Sequence, residues 1–262
     1  MRIGTLGAGL MAQALAGRWA QQGHDVMVGG RDVAKAEVLA QKIGARAGSL
    51  REAVEFADVL LFAVLWEGVE STLAAAGASD GALAGKVLID CTNPVEGERF
   101  TLVTGEGHSI AEQIQETTDA RVVKAFNLSQ VSVWETVTPT LMTPPRFDGR
   151  PLALPFAGDD PAANDVARAL ITSLEREPVE VGPLHRARHL EAMAATVISL
   201  LHGGRDPVTV FNLMEPQLFV DVAVGRTRRA GEPHDGACAG LRARVSSRSR
   251  RVDAADPRAR SG

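Results

Sequence analysis

The residues of this chain best suited to hold a charged ligand carry no charge themselves. Gly7-Ala8-Gly9-Leu10-Met11-Ala12 follow the apolar run Ile3-Gly4-Thr5-Leu6 and open an amphipathic stretch. In such a turn the first glycine permits a tight reversal, and the second removes a side chain that would stand where a pyrophosphate lies. The small residue at the end lets the following helix approach its strand. That helix aims its unpaired amides and the positive end of its dipole at the phosphates. Glycines in this pattern also serve ordinary turns and caps. Here strand, turn, helix and a second strand, Asp25-Val26-Met27-Val28, arrive in order within about thirty residues, as a βαβ unit requires. The spacing therefore points to a bound dinucleotide, with Gly7, Gly9, Leu10, Met11 and Ala12 around its phosphates.

Which dinucleotide is read where the second strand ends. A protein selective for NAD places a carboxylate there, about twenty residues beyond the glycines, to bind the ribose 2′-hydroxyl. This chain places Gly29-Gly30-Arg31 there. Arg31 offers a planar cationic fork that suits a 2′-phosphate, and Lys35, one turn on, adds a second charge on the same face. The expectation is NADP(H), held by Gly30, Arg31 and Lys35. Asp32 complicates it, since an acid beside the strand end also reaches a ribose; it reads as the N-cap of a helix beginning near Val33.

The elements that must position these residues alternate strand with helix, which points to an α/β, doubly wound, mostly parallel sheet. Ser49-x-x-Glu52 is a capping box before a helix from Leu50 to Phe56. Val59 to Val64 is apolar without alternation, as in a central strand covered on both faces. Glu67 to Ala76 reads as helix, Val87 to Asp90 as strand, Ile110 to Thr117 as helix and Arg121 to Phe126 as strand. Further strands are expected at Leu152 to Phe156 and Pro178 to Val181, with a helix between them opened by Asp160-Pro161. A last helix runs from Leu184 to Leu201 and ends at His202-Gly203-Gly204.

Ligands of such sheets bind beyond the carboxyl ends of the strands, where strand order reverses. That directs attention to Val64, Leu65 and Trp66, to Thr92, Asn93 and Pro94, and to Lys124 and Asn127. Leu65-Trp66 can lie beside the adenosine or nicotinamide, although a tryptophan there also packs on the rim of a core. Thr92 and Asn93 can bind a carboxamide or an acceptor, but Asn-Pro is equally a plain turn. Lys124 and Asn127 can touch the acceptor or bind the backbone elsewhere.

Taken in order, Gly7-Ala8-Gly9-Leu10-Met11-Ala12, Gly29-Gly30-Arg31-Asp32, Ala63-Val64-Leu65-Trp66, Asp90-Cys91-Thr92-Asn93-Pro94, Val123-Lys124-Ala125-Phe126-Asn127, Ala157-Gly158-Asp159-Asp160 and Gly182-Pro183-Leu184 resemble the NADPH-dependent coenzyme F420 reductase family and its bacterial relatives. The likeness extends from Met1 to about Leu201. It implies a Rossmann-like domain with a small carboxyl-terminal helical addition, usually homodimeric, passing hydride between NADP(H) and the deazaflavin F420. It also implies a 2′-phosphate site at Gly30, Arg31 and Lys35, and a meeting of the two rings near Leu65, Trp66, Asn93, Pro94 and Asn127. Val64 joins the cofactor set. Leu65 stands where the family usually has proline, and Asp32 where some members have a base. Direct hydride transfer needs no nucleophile and no catalytic side chain, only stacking and exclusion of water. An imine, keto or flavin acceptor is the alternative; reduction of an imine or ketone would ask for a proton donor such as Lys124 or His189. A non-catalytic NADP-binding redox sensor can share the fold.

Other chemistries find little support. Cys91 and Cys238 suggest neither a disulfide framework nor a metal site. His185 and His189 are spaced i,i+4, but Arg186 stands where a zinc helix needs glutamate. No apolar run is long enough to span a membrane, and Met1-Arg2 leads directly into the first strand, so a cytoplasmic protein without a signal peptide is expected. The expected organisation is residues 1–183 as the dinucleotide-binding domain, 184–225 as a carboxyl-terminal helix and packed segment, and 226–262 as a tail. The tail has ten Arg, no Lys and four acids in a chain of net charge −4. Such a segment is expected to be disordered. Without aromatic residues for base stacking it argues against nucleic acid as a partner, leaving a small-molecule redox acceptor.

Overall fold

The computed structural model describes residues 1–105, 107–129, 131, 146–147, 150–205 and 210. The chain divides into two units, Met1–Pro207 and Val208–Gly262, and all described residues except Val210 belong to the first. The tail 226–262, the segment 211–220 and Cys238 lie outside the described residues.

The first unit is a sheet with helices on both faces. Strands β1 (Arg2–Leu6), β2 (Asp25–Gly29) and β3 (Arg46–Gly48) alternate with helices α1 (Leu10–Gln21) and α2 (Val33–Ile43). Helix α3 (Leu50–Phe56), β4 (Val59–Phe62), α4 (Val69–Ala76) and β5 (Val87–Asp90) follow. Then come a short hairpin of β6 (Val95–Glu96) and β7 (Thr101–Leu102), α5 (Ile110–Thr118) and β8 (Arg121–Ala125). A separate two-residue pair, β9 (Arg146–Phe147) and β10 (Arg150–Pro151), precedes β11 (Ala153–Gly158), α6 (Pro161–Ser173), β12 (Glu177–Glu180) and α7 (Ala187–His202).

The eight-stranded sheet has the order β12-β11-β8-β5-β4-β1-β2-β3. Its first six strands in sequence that join the sheet run parallel, and β11 lies antiparallel against β8. The chain winds outward from β1 through β2 to β3, then returns to the other side of β1 with β4. That reversal leaves a crevice at the carboxyl ends of β1 and β4, where dinucleotides bind in this architecture. The Rossmann-like α/β fold expected from the alternation is the one observed.

Central strands are buried on both sides, which is why their sequence does not alternate. Val59 and Leu61 of β4 pack with Ile3, Val26, Ile89, Val123 and the faces of α1, α2 and α6. Leu60 and Phe62 point the other way, into a layer with Leu88, Val122 and the faces of α3, α4 and α5. Trp19 of α1 is wholly buried, meets Phe126 edge-on at 5.8 Å and sits beside the Leu170 carbonyl, which its indole N–H approaches at 3.4 Å. Helix starts follow local chemistry. Ser49 and Ser109 form complete capping boxes with Glu52 and Glu112, and Asp32 and Asp160 accept from the amides of Lys35 and Ala163. The described segments hold no helix long and apolar enough to cross a membrane.

Candidate functional site

The glycine turn is built from the strand ends upward. Gly7 has φ +124°, and a Cβ placed on it would overlap the Ala63 carbonyl oxygen, so β1 and β4 approach closely only because no side chain is present. The Gly7 amide donates to the Gly29 carbonyl at 3.0 Å, and the buried Thr5 hydroxyl donates to the Gly7 carbonyl at 2.8 Å. Gly9 differs: its φ is −93° and a Cβ there would meet nothing within 4 Å. As N-cap of α1 it offers no side chain, so the first amides of this twelve-residue helix open onto empty space. That is the form a pyrophosphate requires.

A cleft of ≈1150 Å³ runs from this turn in both directions, above the roughly 300–1,000 Å³ of a drug-sized site. On the β2 side it is lined by Gly30, Arg31, Asp32 and Lys35. Arg31 donates to the Ser71 hydroxyl of α4 at 2.7 Å, so its guanidinium spans this end of the cleft. Asp32 is committed elsewhere: its carboxylate accepts from the Lys35 amide at 3.1 Å as the cap of α2. Asp32 is thereby engaged as a cap although it lines the cleft, and Glu67 lines the cleft as well. The residues present fit an NADP-type dinucleotide, with α1 and Gly9 for the pyrophosphate and Arg31 and Lys35 for a 2′-phosphate.

The opposite end, beyond β4 and β5, is largely apolar. Val64, Leu65, Cys91, Asn93, Val95, Phe100, Val131 and Ile198 line it. Leu65 stands 80% exposed at the mouth. Cys91 donates its thiol to the Phe62 carbonyl at 3.2 Å, and burial, with Asp90 nearby, pushes that thiol up to about 12. Asn93 is oriented by Asn127, whose side-chain amide donates to Asn93 Oδ1 at 3.0 Å, while Asn93 donates back to the Asn127 carbonyl at 2.9 Å.

Several residues singled out from the sequence lie elsewhere. Gly7, Gly9, Leu10, Met11, Gly30, Arg31, Lys35, Val64, Leu65 and Asn93 all line the cleft. Ala12 is buried beneath the turn, where its small size lets α1 close on the sheet. Trp66 is half-buried against the core layer of α3 and α4, Pro94 is buried, and Asn127 lies under Asn93; none of these three lines the cleft. Lys124, considered as an acceptor contact or proton donor, is wholly buried and held by Asp90 and Glu191 at 2.8 Å each. His189 is exposed on α7 and does not line the cleft either. Glu191 had no sequence motif to mark it, and Val95 and Phe100 sit on a hairpin too short for periodicity to reveal. Among the described residues, no group of three or more His, Cys, Asp or Glu is placed to hold a metal ion.

Known proteins match this geometry. Residues 2–94 match the family described as NADP oxidoreductase coenzyme F420-dependent. The rat metalloreductase STEAP3 is 31% identical over 192 residues, covering 73% of this chain and 36% of that protein, so the chain spans about a third of its length. An F420-dependent NADP reductase from Methanothermobacter marburgensis is 29% identical over 218 residues, covering 76% of this chain and 92% of its own. A crystal structure of a putative F420-dependent NADP reductase from Arthrobacter superposes with a TM-score of 0.67 at 28% identity, covering 78% of this chain and 95% of the other. With its glycine turn and cationic strand end, the chain is similar over residues 2–94 to the F420-dependent NADP oxidoreductase family and, over about three quarters of its length, to reductases that carry that name.

Proposed function

We propose that this protein is an NADP-dependent oxidoreductase of the F420-dependent family, passing a hydride between NADP(H) and a deazaflavin of the F420 type and acting as a cytoplasmic homodimer. One observation carries the reading: the cleft is polarised. Its β2 end presents Arg31 and Lys35, while its β5 end is a wall of Leu65, Val95, Phe100, Val131 and Ile198 with one oriented amide, Asn93. Cys91 of that wall is kept protonated by burial, and the exposed Glu67, two residues beyond Leu65, also lines the cleft. Such a surface stacks flat rings and excludes water.

When bound, NADP(H) supplies the hydride. The chain's own residues do the rest. The α1 amides hold the pyrophosphate, and Arg31 and Lys35 bind the 2′-phosphate. Val64 and Leu65 would line the nicotinamide, and Asn93 would offer its amide to the acceptor. Holding two rings at near-attack distance is itself a large part of such a barrier. The domain assignment within this reading is residues 1–183 for the dinucleotide, 184–225 for a carboxyl-terminal addition and 226–262 for the tail. Met193 and Leu201, exposed on α7, offer apolar surface to a second copy.

The test is spectroscopic. NADPH and F420 are incubated with the protein while deazaflavin absorbance is followed, then flavin, imine and keto acceptors replace F420. Turnover is expected with F420. Turnover with another acceptor alone would move the assignment to that class, and binding of NADPH without its consumption by any of them would favour a redox sensor. Arg31→Ala should weaken NADPH by roughly ten- to a hundredfold, the loss of one charge-assisted contact, and NADH by little. Equal losses would sink the 2′-phosphate assignment.

A further inference from the structure

Behind the acceptor wall lies a buried ionic cluster that touches no part of the cleft. Asp90 at the end of β5, Lys124 near the end of β8 and Glu191 on α7 are all fully buried. Lys124 Nζ has three donors and uses all of them: on Asp90 Oδ2 at 2.8 Å, on Glu191 Oε1 at 2.8 Å and on the Thr92 carbonyl. Asp90 Oδ1 accepts from the Thr92 amide at 2.8 Å. Glu191 accepts from the amides of Ile110 and Ala111, at 3.1 and 3.4 Å, and so sits at the positive end of α5.

A second link runs parallel to the first. Asn127 donates to the carbonyl of Leu190, the neighbour of Glu191, and to Asn93 of the cleft wall, at 3.1 and 3.0 Å. Phe126, at φ +66°, turns the chain so that Asn127 reaches both. Two adjacent residues of α7 are thus tied by separate routes to the two ends of the Cys91–Asn93 turn. Further along, α7 contributes Ile198 to the cleft and sets His202 against Phe100, ring centroids 4.1 Å apart and tilted by 39°. Buried ion pairs add little net stability over apolar replacements of the same size. What they impose is geometry, and the geometry imposed here is that of the acceptor wall.

We propose that Glu191, through Lys124 and Asp90, is a positioning residue that fixes α7 against the Cys91–Asn93 turn and thereby sets how an acceptor ring meets the dinucleotide. The proposal rests on the hydride-transfer reading for its kinetic consequence and on the fold alone for its structural one. Glu191→Gln removes the charge and turns a donor toward the α5 amides. Glu191→Met removes both and leaves Lys124 with Asp90 as a one-to-one pair. For either variant that folds by circular dichroism, the acceptor KM should rise about tenfold with a fall in kcat, while NADPH affinity by fluorescence titration stays within about twofold. Amide hydrogen exchange should quicken together in residues 91–95 and 187–202. Acceptor kinetics equal to wild type, NADPH affinity lost in step with the acceptor's, or failure of both variants to fold would overturn the proposal. If the wild-type chain turns over no acceptor, the functional reading fails, and the exchange experiment decides this one: coupled quickening supports it, unchanged exchange in 91–95 refutes it.

Discussion

Gly7 and Gly9 read alike in the sequence and have opposite tolerances in the fold. Alanine at position 9 meets open space at an ordinary φ. Gly9→Ala should therefore change stability by no more than about 0.5 kcal/mol, yet lose most NADPH affinity, because its methyl group occupies the phosphate cradle. Alanine at position 7 is forced into a left-handed φ and onto the Ala63 carbonyl. Gly7→Ala should cost roughly 1–3 kcal/mol from the backbone alone, and more from the overlap. Denaturant melts beside fluorescence titrations separate the two, and a Gly9→Ala protein that binds NADPH normally would contradict the cradle. Cys91 is the second residue-scale case. With its thiol held up at about 12, it should react with thiol reagents at pH 8 far more slowly than a simple thiol, since the thiolate is the nucleophile. Comparison with Cys91→Ser isolates its share from that of Cys238.

At the scale of the element, α5 is the helix whose start matters most to the site. Its capping box joins Ser109 and Glu112, and Glu191 from α7 takes the Ile110 and Ala111 amides. Arg188 of α7 donates to Glu112 at 2.8 Å, so the two helices are joined at both carboxylates. Ser109→Ala should cost about 1 kcal/mol, the usual value of a lost cap, read as a lower melting temperature with the acceptor KM little changed. A KM change as large as that of the Glu191 variants would mean that any loosening of α5 disturbs the wall. The capping boxes and the non-alternating strands were legible because they are local chemistry. The β6–β7 hairpin was not, since two-residue strands have no period, and Phe100 enters the cleft only because that hairpin folds back toward α7.

For the whole molecule, the same groups set the response to pH. Burial pushes Lys124 down, but Asp90 and Glu191 outweigh it and leave it raised. A raised lysine contributes stability that is present below its ordinary range and lost as pH rises through its folded value. Glu191 is raised by burial, and by Asp90, against the pull of Lys124. Between its ordinary and folded values the native state binds the extra proton, so its contribution falls as pH rises through that window. Glu112 runs the other way: burial lifts it, but Ser109 and Arg188 hold it lower overall, and its contribution is lost as pH falls through its folded value. Urea unfolding across pH should show stability falling at the alkaline end, above the ordinary lysine range. Lys124→Met should flatten that limb while lowering stability at neutral pH by about 3–5 kcal/mol, the cost of stranding a buried charge. An unchanged alkaline limb would mean that Lys124 is not ionised in the native state.

What the amino-acid order determined by itself was everything that depends on neighbours along the chain. The glycine turn, the missing acid and present arginine at the β2 end, the caps and the strand–helix alternation are short-range facts, and together they named the fold and the cofactor. Tertiary structure decided which side chains share a space. It sent Trp66 into the core rim, slid Asn127 beneath Asn93, and drew Lys124 away from the cleft to Asp90 and Glu191. An ionisable side chain at a strand end reads the same whether it faces ligand or interior. Only the packing of α7, whose Glu191 lies 67 positions beyond Lys124 in sequence and 2.8 Å from it in space, resolves the choice: a buried charge must find its partner, and the partner came from an element no local pattern connects to it.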